Sequence, residues 1–242
     1  MNRRWMSVLA IATIVSASVS ESANAQTGSL GLDTRTNLFL AGGNVVAGGF
    51  PGGAGLVPGA INLNAGTNRI LTITSATGSA FYCPGTCLGT PEGGAISNTD
   101  IQSGGVIAGV IAPAPASGFL AGLFLGPSLP AVAPSRLDFT SGGLNFTTLS
   151  PQVGQIFFIG NGSTSGSVLQ QFVVPGTATR LYFGIADAGG FVGVPGFYDD
   201  NVGTYQVSYA VAASTVPEPA TISLFAAGAL ATLLLHRRKR KG

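Results

Sequence analysis

Apolar residues fall into two regimes along this chain. Near each end they form one unbroken run; between the ends they come in short runs of five to nine residues separated by Gly, Asn, Ser, Thr and Pro clusters. In the central part, Arg69-Ile70-Leu71-Thr72-Ile73-Thr74 and Tyr205-Gln206-Val207-Ser208-Tyr209 alternate apolar with polar positions, as strands with one wet face do. The pattern predicts strands over 69–75, 119–125, 155–159, 170–174, 180–186 and 204–212. No helical period and no fixed repeat occurs between the terminal runs. Short strands joined by Gly-rich turns predict an all-β fold, a β-sandwich or jelly roll. The Gly/Pro/Ala-rich stretches 44–59 and 103–134 read as long loops, the second interrupted by the strand at 119–125.

The two ends read as addresses. Met1-Asn2-Arg3-Arg4 precedes an apolar run from Trp5 to Val15 and the small residues Ala23-Asn24-Ala25. This is the order of a signal peptide, a helix-forming segment removed by signal peptidase, with the cut between Ala25 and Gln26. At the other end Val216-Pro217-Glu218-Pro219 is followed by an uncharged segment over 220–235 and then by His236-Arg237-Arg238-Lys239-Arg240-Lys241-Gly242. A helix of that length spans about 24 Å, and snorkelling of the basic tail extends its reach toward the roughly 30 Å of a hydrocarbon core. The basic cluster holds the C-terminus in the cytoplasm, so both ends predict one topology. Taken alone, this pattern also fits an ordinary tail anchor.

The C-terminal order resembles the PEP-CTERM sorting signal of Gram-negative bacteria over 216–242. The resemblance implies recognition of Pro217, Glu218 and Pro219 by exosortase, a membrane protease-transpeptidase. It also implies an inner-membrane intermediate, a cut near the motif, and release or attachment outside the cell, in organisms that make exopolysaccharide and biofilm. Two prolines cannot continue a helix, so the motif stays extended, as a protease substrate must. The chain then divides into a signal peptide over 1–25, a β-sandwich domain over 26–214 and a sorting signal over 215–242.

Composition narrows the chemistry. The net charge of +2 arises from basic residues at the two ends. From Gln26 to Pro219 four arginines (Arg35, Arg69, Arg136, Arg180) face eight carboxylates, leaving −4, with no basic patch to hold nucleic acid. The same stretch has no His, Lys, Trp or Met. General bases of the usual kind, Schiff-base chemistry and His-built zinc sites are therefore missing from it.

Two features remain. Cys83-Pro84-Gly85-Thr86-Cys87 holds both cysteines of the chain, and in an exported protein the spacing fits a small disulfide loop; two free thiols or half a metal site are the alternatives. Near the C-terminal end of the central part, Asp187 closes the run 180–186, and Asp199-Asp200-Asn201 precedes the run 204–212. Three carboxylates and an amide flanking one loop fit oxygen-only ligation of Ca²⁺, and they equally fit ordinary turn chemistry.

Gly184-Ile185-Ala186-Asp187 and Asp200-Asn201-Val202-Gly203-Thr204-Tyr205 resemble the signature of LecA-type calcium-dependent galactose lectins, small jelly rolls related to galactose-binding-like folds. Gly66-Thr67-Asn68-Arg69-Ile70-Leu71-Thr72-Ile73 and Ser79-Ala80-Phe81-Tyr82 extend the similarity. It implies side-chain calcium ligands at Asp187, Asp200 and Asn201, and backbone carbonyls from Tyr82 and Phe197. The chain departs from the lectins in its longer loop over 188–198, in the missing histidine of the sugar-contacting loop, and in the Cys83–Cys87 insertion. The expected function is non-catalytic: a cell-surface or matrix protein binding polysaccharide through a calcium-dependent loop. A purely structural coat protein and a glycoside hydrolase using two of Asp187, Asp199 and Asp200 are the alternatives. Asp199 and Asp200 are adjacent, which in a strand turns their side chains to opposite faces and away from joint action on a sugar.

Overall fold

The computed structural model describes residues 25–83, 87–94 and 97–213. The expected signal helix, the Val216–Pro219 motif and the expected transmembrane helix lie outside them. Among the described residues no helix is long and apolar enough to cross a membrane.

The strands, in chain order, are β1 (Gln26–Asp33), β2 (Ile61–Asn62), β3 (Arg69–Phe81), β4 (Leu88–Gly89), β5 (Thr99–Ile101), β6 (Val110–Ala112), β7 (Ala121–Leu125), β8 (Leu137–Asp138), β9 (Thr148–Leu149), β10 (Ile156–Phe158), β11 (Gln171–Val173), β12 (Arg180–Gly184), β13 (Val192–Gly193) and β14 (Val202–Ala213). Among the described residues helix is confined to short 3-10 segments, so the fold they form is all-β. The strands form three sheets: β1-β14-β3-β11-β9 with β4 added to β3, β10-β7-β12-β2, and β13-β5-β6-β8.

The second sheet explains the continuous apolar runs. Every residue of β7 and β10 is buried. Phe124, Phe157, Leu181 and Phe183 pack toward the first sheet with Leu71, Ile73, Tyr205 and Val207. Their neighbours Leu123, Leu125, Ile156, Phe158 and Tyr182 pack on the opposite face with Ile101, Val110 and Ala112 of the third sheet and with Leu38 and Phe39. A sheet apolar on both faces must be covered twice. The first two sheets account for the expected sandwich; the third sheet is a further layer that continuous runs alone do not reveal. Phe157 ties the layers together, with its ring stacked on Phe124 at 5.1 Å and tilted onto Phe172 of β11 at 5.3 Å. The ring lies against Gly122, where an added Cβ would come within 2.5 Å of it.

The long strands β1, β14 and β3 are antiparallel neighbours. In β14 the buried positions are Tyr205, Val207, Tyr209 and Val211, a strict alternation. In β3 the alternation breaks: Leu71 and Ile73 are buried, and then Ala76 and Ala80. The pairing shifts at the same place, Ser208 opposing Ser75 while Tyr209 opposes Ile73. Thr74 is the extra residue of a β-bulge, and it moves the inward positions from odd to even numbers. The Cys83–Cys87 disulfide, with 5.3 Å between its Cα atoms, closes the connection from β3 to β4.

Candidate functional site

The segment from β12 to β14 visits all three sheets. It leaves the second sheet after Gly184, adds β13 to the third sheet beside β5, and enters the first sheet at Val202. The expected long loop is therefore ordered by turns at Gly189–Phe191 and Tyr198–Asp200 and by a two-residue strand. Asp187 stands at the exit from β12 and Asn201 at the entry to β14, at the neck of the loop.

The two side chains meet there. Asn201 Nδ2 donates to Asp187 Oδ2 at 2.8 Å and to the Thr34 carbonyl at 3.1 Å. The other Asp187 oxygen accepts from the Ala188 N–H at 2.7 Å, and the Asp187 N–H donates to the Tyr198 hydroxyl at 3.0 Å. Both Asp187 and Asn201 are 2% exposed. Asn201 Oδ1 is buried with no hydrogen-bond partner, and an orphaned acceptor of this kind carries a desolvation cost. Among the described residues the ion pairs are Arg35–Asp33 and Arg136–Asp100, so no arginine neutralises Asp187. Burial pushes the Asp187 carboxyl up to about 8, against the hydrogen bonds from Asn201 and Ala188, and the charge of Asp200 adds to the rise.

The other sequence-derived candidates take different positions. Asp200 is exposed; partial burial and the neighbouring Asp199 charge raise its pKa. Asp199 accepts from the Gly55 N–H at 3.0 Å and so ties the 44–59 stretch to the loop. Phe197 adopts a left-handed conformation, φ 66°, and is 38% exposed. A non-glycine residue held there is a strained position of the kind found at binding sites. The Tyr82 side chain lies beneath the loop, edge-on to the Phe191 ring at 5.5 Å. Its hydroxyl bonds the Gly118 carbonyl at 2.6 Å and the Tyr205 hydroxyl at 2.8 Å, and burial raises both phenols.

The fold thus brings Asp187 and Asn201 into contact, while Asp200 stays exposed with its charge felt at Asp187, and Phe197 is partly exposed on the same loop. Among the described residues no group of three or more His, Cys, Asp or Glu side chains converges as a metal cluster. A cation that takes oxygen ligands would have the carboxylates of Asp187 and Asp200 and the Asn201 amide on offer. A buried uncompensated carboxylate beside an unpartnered amide oxygen fits a hard cation that takes oxygen ligands. Tyr198 and Thr34 were not legible as site residues: one acts by its hydroxyl beneath Asp187, the other by its carbonyl. A separate cleft of about 540 Å³ is lined by Glu92, Pro113, Pro115, Asn145, Asn161 and Ser163 among others. There the Glu92 carboxylate accepts from the Asn161 N–H.

No curated protein and no solved structure matched the chain. Residues 215–240 match the PEP-CTERM protein-sorting motif. The match implies export, recognition by an exosortase, membrane-anchored processing and a final place at the cell surface, and so the C-terminal segment is the sorting signal of an exosortase substrate.

Proposed function

We propose that this exosortase-sorted surface protein is a non-catalytic, polysaccharide-binding component of the extracellular matrix of a Gram-negative bacterium, and that its loop is locked by Ca²⁺. The observation that carries the calcium reading is the buried contact of Asp187 with Asn201, whose Oδ1 has no partner. Asp187 and Asn201 would hold the ion by their side chains, with Asp200 contributing from the exposed side and Tyr82 and Phe197 offering carbonyls. When bound, calcium would supply the positive charge that lets the buried Asp187 carboxyl ionise, where burial otherwise keeps its proton on. The Phe197 ring, within the loop and 38% exposed, would offer its open part to the apolar C–H surface of a sugar. The similarity of 184–187 and 200–205 to the LecA-type lectin signature supports the same reading, and with it the proposal that the first two sheets form a jelly roll.

The test is calorimetry of the exported protein with chelator and with calcium, followed by a glycan array under both conditions. Calcium at a hundred times its dissociation constant stabilises the native state by about 2.7 kcal/mol. The melting temperature should fall on chelation and return with calcium, and glycan retention should follow it without new reducing ends. An unchanged melting temperature, with no heat of binding at millimolar calcium, leaves Asp187 and Asn201 as a structural pair and removes the calcium reading.

A further inference from the structure

Sheet edges expose unpaired backbone groups, and proteins blunt them with very short strands, charges, prolines or bulges. Six of the strands flanking these sheets follow that practice: β9, β4, β2, β13 and β8 have two residues each and β10 has three. The edge strand β1 departs from it everywhere but at its last residue, the charged Asp33. It runs for eight residues, and Thr27-Gly28-Ser29-Leu30-Gly31-Leu32 carries no charge and no proline. Its register with β14 is unbroken from Gln26↔Val211 to Asp33↔Thr204.

The direction of its free groups follows from that register. Thr34 N–H donates to Gly203 O, one step beyond the ladder. Alternate residues of an antiparallel pair exchange both bonds, so Leu32, Leu30, Gly28 and Gln26 bond to β14. The N–H and C=O groups of Thr27, Ser29 and Gly31 therefore point outward. Among the described residues β1 ends its sheet and pairs with β14 alone, and no turn or loop backbone bond reaches these three residues. The Thr27, Ser29 and Gly31 positions are also exposed.

We propose that β1 is a homotypic docking edge: the β1 strands of two copies of this chain pair antiparallel about a two-fold axis through Ser29. Ser29 then faces Ser29 of the second copy, and Thr27 faces its Gly31 in both directions, so the three outward positions satisfy one another. A row of outward N–H and C=O groups is complemented by another extended strand, and a two-fold interface requires a self-complementary patch, which three equally spaced positions centred on Ser29 provide. No like charges meet along 27–32, and the pairing joins two first sheets into one continuous sheet. The inference does not rest on calcium or on glycan binding.

The full chain, solubilised in detergent, gives the test. Its two native cysteines are consumed by the Cys83–Cys87 disulfide, so one added cysteine is the single free thiol. Ser29→Cys should form a covalent dimer under mild copper-phenanthroline oxidation, whereas Thr27→Cys, which faces Gly31 and not its own copy, should form several-fold less. In sedimentation equilibrium Ser29→Pro, which removes an outward N–H and spares the β14 ladder, should weaken dimerisation at least tenfold. Ser29→Lys, an exposed substitution that sets two like charges on the axis, should do the same while leaving the melting temperature unchanged at dilutions where the wild type is monomeric, and it stands alone if the proline variant does not fold. Equal cross-linking at positions 27 and 29, or an equal dimer fraction in wild type and Ser29→Lys, overturns the proposal.

Discussion

Asn201 Nδ2 sits 2.8 Å from Asp187 Oδ2, so two residues fourteen positions apart close the neck of a loop that touches all three sheets. The pair makes the stability of the protein depend on pH in an unusual direction. An unfolded aspartate titrates near about 3.9, whereas burial lifts Asp187 to about 8 in the folded state. Between these values the native state holds a proton that the unfolded state has lost, so stability falls as pH rises, by up to about 1.4 kcal/mol per pH unit, and levels off above the folded value. Asp33 and Asp138 are shifted down by hydrogen bonds from Arg35 and Thr140, and their contributions are lost only in more acidic solution. Urea midpoints measured in chelator from pH 5 to 9 should decline toward pH 8, and Asp187→Asn should flatten the decline. A flat profile for the wild type would show that Asp187 titrates normally.

Asn201→Asp separates a cation site from a turn. Without calcium it sets a second carboxylate against Asp187 in a buried place, and the melting temperature should fall below that of Asn201→Ala, itself costing about 1–3 kcal/mol through unpaired groups at Asp187 and Thr34. With millimolar calcium the order should reverse, because carboxylates are the stronger calcium ligands. Retention of the same order in calcium argues against the ion.

Gly122 and Phe157 should be coupled. Phe157→Ala should cost about 3–5 kcal/mol. Gly122→Ala should also destabilise, since the new Cβ meets the Phe157 ring. In the double variant the ring is gone, and the two costs should sum to more than the measured total by at least about 0.5 kcal/mol. Additive costs in denaturant titrations would mean that the ring does not rely on Gly122.

The sequence patterns reached part of this fold, for identifiable reasons. β14 is legible because Tyr205, Val207, Tyr209 and Val211 alternate without interruption. β3 is legible only to its bulge; beyond Thr74 the phase changes and Ala76, Gly78 and Ala80 carry too little hydrophobicity to reveal the new one. The runs at β7, β10 and β12 are legible as strands, but a continuous run does not say what covers each face, and the third sheet went unseen. β1 is silent because Gly28 and Gly31 leave gaps in its pattern; at Gly28 the gap is filled by the Tyr209 ring, where an added Cβ would lie 2.5 Å from the Tyr209 hydroxyl oxygen. Strands of two residues have no pattern to read. In the site, the oxygen-rich residues Asp187 and Asn201 stood out by type, whereas Tyr198 looked like core and Thr34 acts through its backbone.

The disulfide should matter locally. It joins residues with a sequence separation of 4, a loop whose closure stabilises by at most about 2 kcal/mol. The Cys83→Ser, Cys87→Ser protein should remain folded, with a urea midpoint lowered within that bound. Loss of all cooperative unfolding would give the loop a larger structural role.

Sorting should depend on the motif apart from the apolar segment. Glu218→Ala should leave the precursor inserted and its tail uncut, whereas removal of 220–242 should abolish membrane retention. Normal tail removal in Glu218→Ala, seen by intact mass, would reduce the segment to a plain anchor.

The register of β1 with β14 has a geographic consequence. Gln26 lies beside Val211, so the described chain begins and ends at one pole of the first sheet. Asn201 lies just before the far end of β14, whose 12 residues extend for about 40 Å. Asp187 and Asn201 therefore lie at the opposite pole of the first sheet from Ala213, where the described chain leaves toward the sorting signal. Among the described residues, that neck is hydrogen-bonded to Thr34, Ala188 and Tyr198, so severing the tail takes away none of the contacts that hold Asp187 and Asn201 together.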